Sequence, residues 1–188
     1  MKYFFIFSVF IFLSIVYFLD ILQYLVSSEY RSGIMVVPIV LLCFVFQGIY
    51  FNLSIWYKLT DRTEWGAYIS LIGLFFTVVG NVVFIPIYGY IAAAWVSCIC
   101  FFVMMIISWF FGQKYYTITY DMKSLARYTI IGILLYFVGM NIPIDSVVLR
   151  LGLRSIILLA FLFYVLKTEN MMSSLPFFNK TLKKSDIS

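Results

Sequence analysis

The sequence has 188 residues, of which 64% are apolar, 21% are aromatic and only 11% are charged. Soluble domains carry about 25% charged residues, so this composition excludes an ordinary soluble protein and indicates an integral membrane protein. The net charge of +5 could suggest a nucleic-acid partner, but the basic residues flank separate apolar segments and form no continuous patch, so no nucleic-acid binding is expected.

Six apolar segments follow one another along the chain, and most can span a hydrocarbon core of about 30 Å, which takes about 20 helical residues. The fifth is short, because Asn141 and Pro143 limit its apolar run to about 14 residues, unless it begins earlier, near Ser124. The predicted spans are residues 3–26, 34–57, 65–85, 90–111, 128–141 and 151–166. We therefore predict an all-α integral membrane bundle of about six transmembrane helices at residues 1–167, followed by a polar tail at residues 168–188.

The first span contains Asp20, the only carboxylate well inside a predicted span, at about 9 Å from its external end. A charged group within a membrane is a candidate functional residue. Asp20 is therefore a candidate for the substrate path, with proton or Na⁺ coupling as its natural role. The alternative is that Asp20 lies in the outer interface, where it is hydrated or paired with Arg31.

The second span carries polar and small residues at helical steps of 4, 3, 4 and 3, which place them on one face. These seam residues are Cys43, Gln47, Tyr50, Ser54 and Tyr57. A polar face in lipid must contact protein or water. The seam predicts hydrogen bonds between helices or, in the alternative, a wet cavity lined by Gln47 and Tyr50, which are candidates for the substrate path.

The third span carries small residues at the same steps, which predicts a groove where another helix can approach closely. These groove residues are Gly66, Ser70, Gly73, Thr77 and Gly80. Asn81 follows the groove and is the strong hydrogen-bonding side chain near the external end of this helix. It is the fourth candidate for the substrate path.

Aromatic residues gather near the predicted ends of the spans. They are Trp56, Tyr57 and Trp65, then Tyr88, Tyr90 and Trp95, and then Trp109, Tyr115 and Tyr116. Such rings are typical of the belts at membrane interfaces. Stacking on sugar rings is the alternative, but amphipathic rings at the level of the headgroups require no ligand to explain them.

Residues for catalysis or metal binding are scarce. The sequence has no His, and Cys98 and Cys100 lie on nearly opposite faces of one helix, so we predict neither a metal site nor a cofactor. The acids outside the spans, such as Asp61, Asp121 and Asp145, are isolated from one another. Without a base or paired acids, no enzymatic activity is expected.

Ten of the 13 basic residues fall on the side of the membrane that holds the N-terminus. They are Lys2, Lys58, Arg62, Lys114, Lys123, Arg127, Lys167, Lys180, Lys183 and Lys184, whereas Arg31, Arg150 and Arg154 fall on the other side. Because short cytoplasmic connections are rich in Lys and Arg, both termini are predicted to be cytoplasmic. The connections near Glu29, Tyr88 and Asp145 are then external.

The run at residues 81–97 resembles the helix-loop-helix of bacterial polysaccharide flippases in the multidrug/oligosaccharidyl-lipid/polysaccharide exporter superfamily. The matching residues are Asn81, Pro86, Gly89, Ala93 and Trp95. Residues 52–63 are similar to the connection that precedes this motif. Ala92 departs from the pattern, since the family usually has Gly there. The resemblance covers nearly the whole chain, but only the last six helices of a 14-helix member.

The resemblance implies transport of an undecaprenyl-linked oligosaccharide to the external leaflet, for surface polysaccharide of the O-antigen (lipopolysaccharide) or capsule type. It also implies a multi-pass protein in the cytoplasmic membrane of a bacterium, in contact with membrane lipid. Transport would use a central cavity opened by two rocking lobes. The expected partner is an N-terminal portion of eight helices or a second copy of the chain.

Two functional hypotheses remain open. The first is the C-terminal part of such a flippase, inactive when alone. The second is an assembly subunit that transports nothing and packs against a partner membrane protein through the groove. A membrane-bound glycosyl or acyl transferase is disfavoured, because a His or clustered acids would be expected at the membrane face.

Overall fold

The computed structural model describes residues 1–115, 121–141 and 147–169. Tyr116, Pro143 and Asp145 therefore lie outside the described residues, as do residues 170–188 of the predicted tail. The chain divides into two compact units, Met1–Ile130 and Ile131–Ser188, which are described separately.

Every regular element in the described residues is helical, which confirms the predicted fold class. The helices are α1 (Lys2–Tyr17), α2 (Leu19–Leu25), a 3₁₀ segment (Ser28–Val36), α3 (Val37–Leu53), α4 (Ile55–Leu59), α5 (Glu64–Tyr88), α6 (Tyr90–Tyr115), α7 (Met122–Met140) and α8 (Val147–Thr168). Within the described ranges, five stretches are long and apolar enough to cross a membrane, and α1 is a shorter apolar helix. The side of the membrane on which the termini lie stays a prediction.

The first predicted span is interrupted at Phe18, which separates α1 from α2. No Gly or Pro marks this break in the sequence. The break places Asp20 in the first turn of α2, where a carboxylate interacts favourably with the positive end of the helix dipole. The interruption leaves α1 with 16 residues, fewer than a perpendicular crossing usually takes.

The second predicted span is also subdivided. A 3₁₀ helix of nine residues, Ser28–Val36, runs into its start; the span then becomes α3, with Pro38 in the first turn, and breaks again at Ser54. Proline suits the first turn because its missing N–H has no acceptor there. The Ser54 hydroxyl donates to the carbonyl oxygen of Phe51 at 2.7 Å, and α4 follows. The fifth span begins at Met122, the earlier of the two predicted starts.

In the first unit, α6 packs against α3 and α5, and α1 packs against α3. Near the end of α6, Gly112 contacts Trp56 of α4, while the Tyr90 hydroxyl at the start of α6 donates to the Ser32 carbonyl oxygen at 3.2 Å. Gly66 at the start of α5 contacts Tyr57. Thus α3 and α6 run in one direction and α5 runs in the other.

The second unit contains the end of α7 and all of α8. The buried residues of α8 recur on one face of the helix and are Arg154, Leu158, Phe161 and Val165. The Arg154 Nε donates to the carbonyl oxygen of Gly139 at 3.0 Å, which connects the two helices. This bond satisfies a carbonyl of the last turn of α7, a group that has no partner within its own helix.

Candidate functional site

The polar seam of α3 lies inside the first unit. Tyr50 is only 5% exposed and packs with Ile69, Cys100 and Met104. Its hydroxyl is in hydrogen-bonding contact with the side chains of Tyr57 and Ser70. These contacts join α3, α4 and α5, and Tyr50 brings a hydroxyl into an otherwise apolar core cluster of this unit.

Gln47 lies one turn before Tyr50 on α3 and is half-buried. Cys43, a further turn back, is buried at 6% exposure. The structure therefore places Cys43 and Tyr50 in the interior of the unit, with the half-buried Gln47 between them. An amide at this depth has the capacity for several hydrogen bonds, which makes Gln47 the seam residue best suited to meet a polar group from outside the core.

Thr77 and Cys100 connect α5 to α6. The Thr77 hydroxyl donates to Cys100 Sγ at 3.3 Å, and the Cys100 thiol donates to the carbonyl oxygen of Gly73 at the same distance. Hydrogen bonds of this kind between transmembrane helices contribute about 0.6 kcal/mol each on average. Cys100 therefore acts as a packing and bonding residue at this interface.

The groove residues of α5 face side chains of the neighbouring helices. A Cβ atom added at Gly73 would lie 2.5 Å from Met104 Sδ, and one at Gly80 would lie 2.7 Å from Val96 Cγ1. At Gly66 it would lie 3.1 Å from the Tyr57 ring. The space beside these three glycines is thus filled by neighbouring side chains.

The motif at residues 81–97 forms the hairpin between α5 and α6. Helix α5 continues through Pro86 and ends at Gly89, whose φ of 63° and ψ of −146° lie in a region that essentially only glycine adopts. The Gly89 N–H donates to the Ile85 carbonyl oxygen at 2.8 Å. Ala93 is half-buried and Trp95 is 48% exposed, just inside the start of α6.

Asn81 lies two turns before this break. Its Oδ1 is buried and has no hydrogen-bond partner among the described residues. An open apolar groove of about 370 Å³ lies close by along the chain, where the end of α5 meets the start of α6. The two helices meet here at Gly89, on the side that the charge distribution predicts to be external. The groove is lined by Phe84, Tyr88, Ile91, Ala92, Trp95, Val96 and Ile99. A buried amide oxygen without a hydrogen-bond donor is uncommon. In a membrane helix, such a polar side chain is a candidate for binding a substrate or a partner protein.

Asp20 lies at the start of α2 and is half-buried. Its backbone carbonyl oxygen accepts a hydrogen bond from Gln23 Nε2 at 2.9 Å. Asp20, Gln47 and Asn81 thus lie on three different helices. Gln47 lies one turn from Tyr50 on α3, whereas Asp20 lies on α2 and Asn81 on α5.

Sequence reasoning missed a cluster of aromatic rings at the start of α5 and the end of α6, which is the end of the unit opposite to the hairpin at Gly89. This aromatic cluster consists of Trp56, Trp65, Phe111 and Tyr115. The rings of Trp65 and Phe111 are 4.3 Å apart, and those of Trp56 and Tyr115 stack at 5.7 Å with an angle of 16°. Trp56 is 1% exposed, so it is a core residue here and not part of an interfacial belt.

Packing against Gly112 explains the burial of Trp56. A Cβ atom at Gly112 would lie 2.9 Å from Trp56 Cδ1, and Trp56 Nε1 donates to Ser108 Oγ at 3.4 Å. The spacing of Ser108 and Gly112, one turn apart, was the available signal for a small-residue face on α6. The belt interpretation still suits Tyr88, Tyr90 and Trp109, which are exposed.

The burial of Arg154 is a second feature that the sequence reasoning missed. The sequence analysis placed it at the start of the sixth predicted span and counted its charge on the external side. The structure places it within α8 and shows that its side chain is only 5% exposed. Arg150 lies four residues earlier and is half-buried on the same face. Two arginines four residues apart in an apolar helix were the signal for this face.

Among the described residues, no group of three or more His, Cys, Asp or Glu side chains could hold a metal ion. Comparison of the chain with protein-family models, curated proteins and solved structures finds no match in any of the three.

Proposed function

We propose that the chain is the C-terminal part of a bacterial flippase that moves a lipid-linked oligosaccharide across the cytoplasmic membrane for surface polysaccharide biosynthesis. The observation that carries the proposal is the hairpin between α5 and α6. Its sequence resembles the helix-loop-helix motif of the polysaccharide flippases. Pro86 lies in the last turn of α5, and Gly89 is the C-cap that ends this helix.

Asn81 supports a transport role for this hairpin. It is a motif residue, and its buried Oδ1 has no donor among the described residues. Leaving such an acceptor unpaired costs about 1–3 kcal/mol, so a donor from outside this chain would be stabilising. A sugar hydroxyl of the substrate or a side chain of a partner lobe has the required chemistry.

The surface of α5 supports the view that more protein packs here. Of its 25 residues, only Ile69 and Gly73 are buried. The exposed residues include large apolar side chains such as Leu71, Phe75 and Val82. A substrate as large as a lipid-linked oligosaccharide needs a cavity with walls on both sides, and this chain provides one wall.

Complementation of a bacterial strain that lacks its flippase tests the proposal. The chain expressed alone should leave surface polysaccharide absent, and co-expression with a matching N-terminal portion of eight helices should restore it. In the restored pair, Asn81→Leu should lower polysaccharide, whereas the matched control Val82→Leu, at a position that is 69% exposed, should not. Both variants are compared at equal amounts in the membrane.

Two results would contradict the proposal. Full restoration by this chain alone would show a complete transporter that works as an oligomer. If no matching N-terminal portion restored the polysaccharide, although both chains accumulated normally, the chain would not be part of a flippase.

The exposed face of α5 favours a second candidate, a non-transporting subunit that packs against a partner membrane protein. Co-purification distinguishes the two. An assembly subunit remains bound to its partner when Asn81 is replaced by Leu, and polysaccharide export is unaffected.

A further inference from the structure

Two cationic side chains lie close to one ring of the aromatic cluster, that of Tyr115. The guanidinium carbon of Arg62 lies 4.5 Å from the centroid of the Tyr115 ring, and Lys114 Nζ lies 5.9 Å from the same centroid. Both cationic side chains are exposed. Among the described residues, no carboxylate lies within 4.0 Å of either cation and neither makes a side-chain hydrogen bond, so their N–H donors are available to a ligand.

The position of Arg62 is set by the turn that ends α4. The Thr60 N–H donates to the Trp56 carbonyl oxygen at 3.0 Å, and the Arg62 N–H donates to that of Tyr57 at 2.9 Å. The second of these bonds, from the residue after Asp61 back to Tyr57, is the 6→1 bond of a Schellman motif, with Asp61 at the left-handed position. The backbone of Arg62 is thereby held in place before any ligand arrives.

The ring under Arg62 is also held in place. Tyr115 stacks on the buried Trp56, and its ring lies 5.6 Å from that of Trp65. Preorganised groups bind with a smaller loss of conformational entropy than mobile ones. Most exposed Lys and Arg side chains on a membrane protein lack such a fixed platform.

The chemistry of this arrangement suits a phosphate group. A guanidinium that stacks by its face keeps its N–H donors at the edge, where they can bind two oxygens of one phosphate. Lys114 adds a second positive charge on the same ring. Tryptophan and tyrosine are enriched at the level of lipid headgroups, and anionic headgroups attract basic residues there.

We propose that Arg62, Lys114 and the Tyr115 ring form a binding site for the phosphate of an anionic phospholipid headgroup. The site lies at the end of α4 and α6, on the side that the charge distribution predicts to be cytoplasmic. It is at the opposite end of α5 and α6 from the hairpin at Gly89, and it does not depend on the proposed transport function.

Native mass spectrometry of the purified protein tests the site after equilibration with equimolar phosphatidylglycerol and phosphatidylcholine. The wild-type protein should retain phosphatidylglycerol in preference to phosphatidylcholine, by about fivefold for each cation engaged. Arg62→Lys keeps the charge but removes the stacked planar group, and Tyr115→Leu keeps both charges but removes the ring. Each should lose most of the preference.

Lys123→Gln is the matched control, because Lys123 is an exposed cation at the start of α7. Its preference should stay within twofold of the wild-type value. Equal preferences in all four proteins would overturn the proposal, since they would reflect surface charge alone. No preference in the wild-type protein, or displacement of phosphatidylglycerol by excess inorganic phosphate, would overturn it as well. Circular dichroism of each variant verifies its helix content before the comparison, and Arg62→Gln replaces any variant that is unfolded.

Discussion

Asp61 is the one non-glycine residue, among those described, whose φ lies in the left-handed region, at 53°. This conformation costs L-residues about 1–2 kcal/mol, although Asp and Gly tolerate it better than most. Because the position follows the C-cap of α4, where glycine is preferred, Asp61→Gly should raise the free energy of unfolding by up to about 1 kcal/mol. Thermal unfolding in detergent micelles measures the change.

Ala67→Gly is the control for Asp61→Gly. Ala67 is exposed within α5, where glycine lowers stability by about 1 kcal/mol relative to alanine. The two glycine substitutions should therefore have opposite effects on the unfolding temperature. A decrease of similar size in both variants would show that Asp61 is not strained.

The packing of α5 on α6 depends on the size of the residue at position 73. Since a Cβ atom at Gly73 would lie 2.5 Å from Met104 Sδ, Gly73→Leu must displace that side chain or separate the helices. Overpacking of this kind costs about 1–3 kcal/mol or more. We expect a large decrease in the folded fraction, measured by size-exclusion chromatography of the detergent-solubilised protein.

Leu74→Phe provides the comparison, because Leu74 is 58% exposed and should tolerate the larger side chain. Met104→Ala combined with Gly73→Leu should recover part of the loss by making room for leucine. Equal accumulation of the Gly73→Leu and Leu74→Phe proteins would contradict the packing that the structure shows.

The start of α7 depends on the carboxylate of Asp121. Its Oδ1 accepts a hydrogen bond from the Ser124 backbone N–H at 3.1 Å, and its Oδ2 lies 4.0 Å from Lys2 Nζ. Hydrogen bonds from the side chain and backbone of Ser124, together with the charges of Lys2 and Arg127, hold the pKa of Asp121 below its usual value of 3.8. This arrangement is an N-cap that favours the ionised form.

A lowered pKa in the folded protein means that ionised Asp121 contributes stability above about pH 4 and that the contribution is lost as the pH falls through the folded pKa. Lowering the pH from about 6 to about 3 should therefore decrease the unfolding temperature of the wild-type protein more than that of Asp121→Asn. Glu64→Gln, at the start of α5, should retain the wild-type pH dependence. Identical pH profiles for the wild-type and Asp121→Asn proteins would exclude a contribution from this cap.

The lengths of the apolar runs predicted a helix in each of the six segments, because a hydrocarbon core requires a similar apolar length of every helix. Among the described residues, five stretches are long enough to cross such a core. The apolar pattern could not predict the break at Phe18, which no Gly or Pro marks, and it could not choose between the two possible starts of α7, because that start depends on the cap at Asp121. The spacing of the groove residues indicated a close contact on α5. It could not identify Met104 and Val96 as the contacting side chains, because these lie on another helix.

The same limit applies to the candidate site. Tyr50 and Asn81 were noted from their types and positions, yet only the structure shows that Tyr50 contacts Ser70 and that Asn81 Oδ1 has no partner among the described residues. The aromatic cluster brings together Trp56, Trp65 and Tyr115 from three helices. Such convergence depends on the packing of the unit and leaves no periodic signal in the sequence.

At the scale of the whole molecule, the charge distribution predicts cytoplasmic termini. Cysteines introduced singly at Asp61 and at Glu29 test this prediction after the three native cysteines, which are all buried, are replaced. In intact cells, an impermeant thiol reagent should label the protein with Glu29→Cys and leave the one with Asp61→Cys unlabelled. Both positions are exposed, so permeabilised cells should label both. The reverse labelling pattern would exclude the predicted topology.

The central position of α6 has a consequence for biosynthesis. The ribosome releases the N-terminal part of a chain first, so α3 and α5 enter the membrane before α6 has been translated. Cys100, Met104 and Ser108, which complete the interior around Tyr50 and Trp56, are then still missing. During this interval the ring of Tyr50 lacks its packing partners on α6, and the indole N–H of Trp56 lacks its acceptor. We therefore expect the insertion machinery to protect α3 and α5 until α6 has been translated. A pause in translation before residue 112 should prolong the period in which the nascent chain is exposed to quality-control proteases.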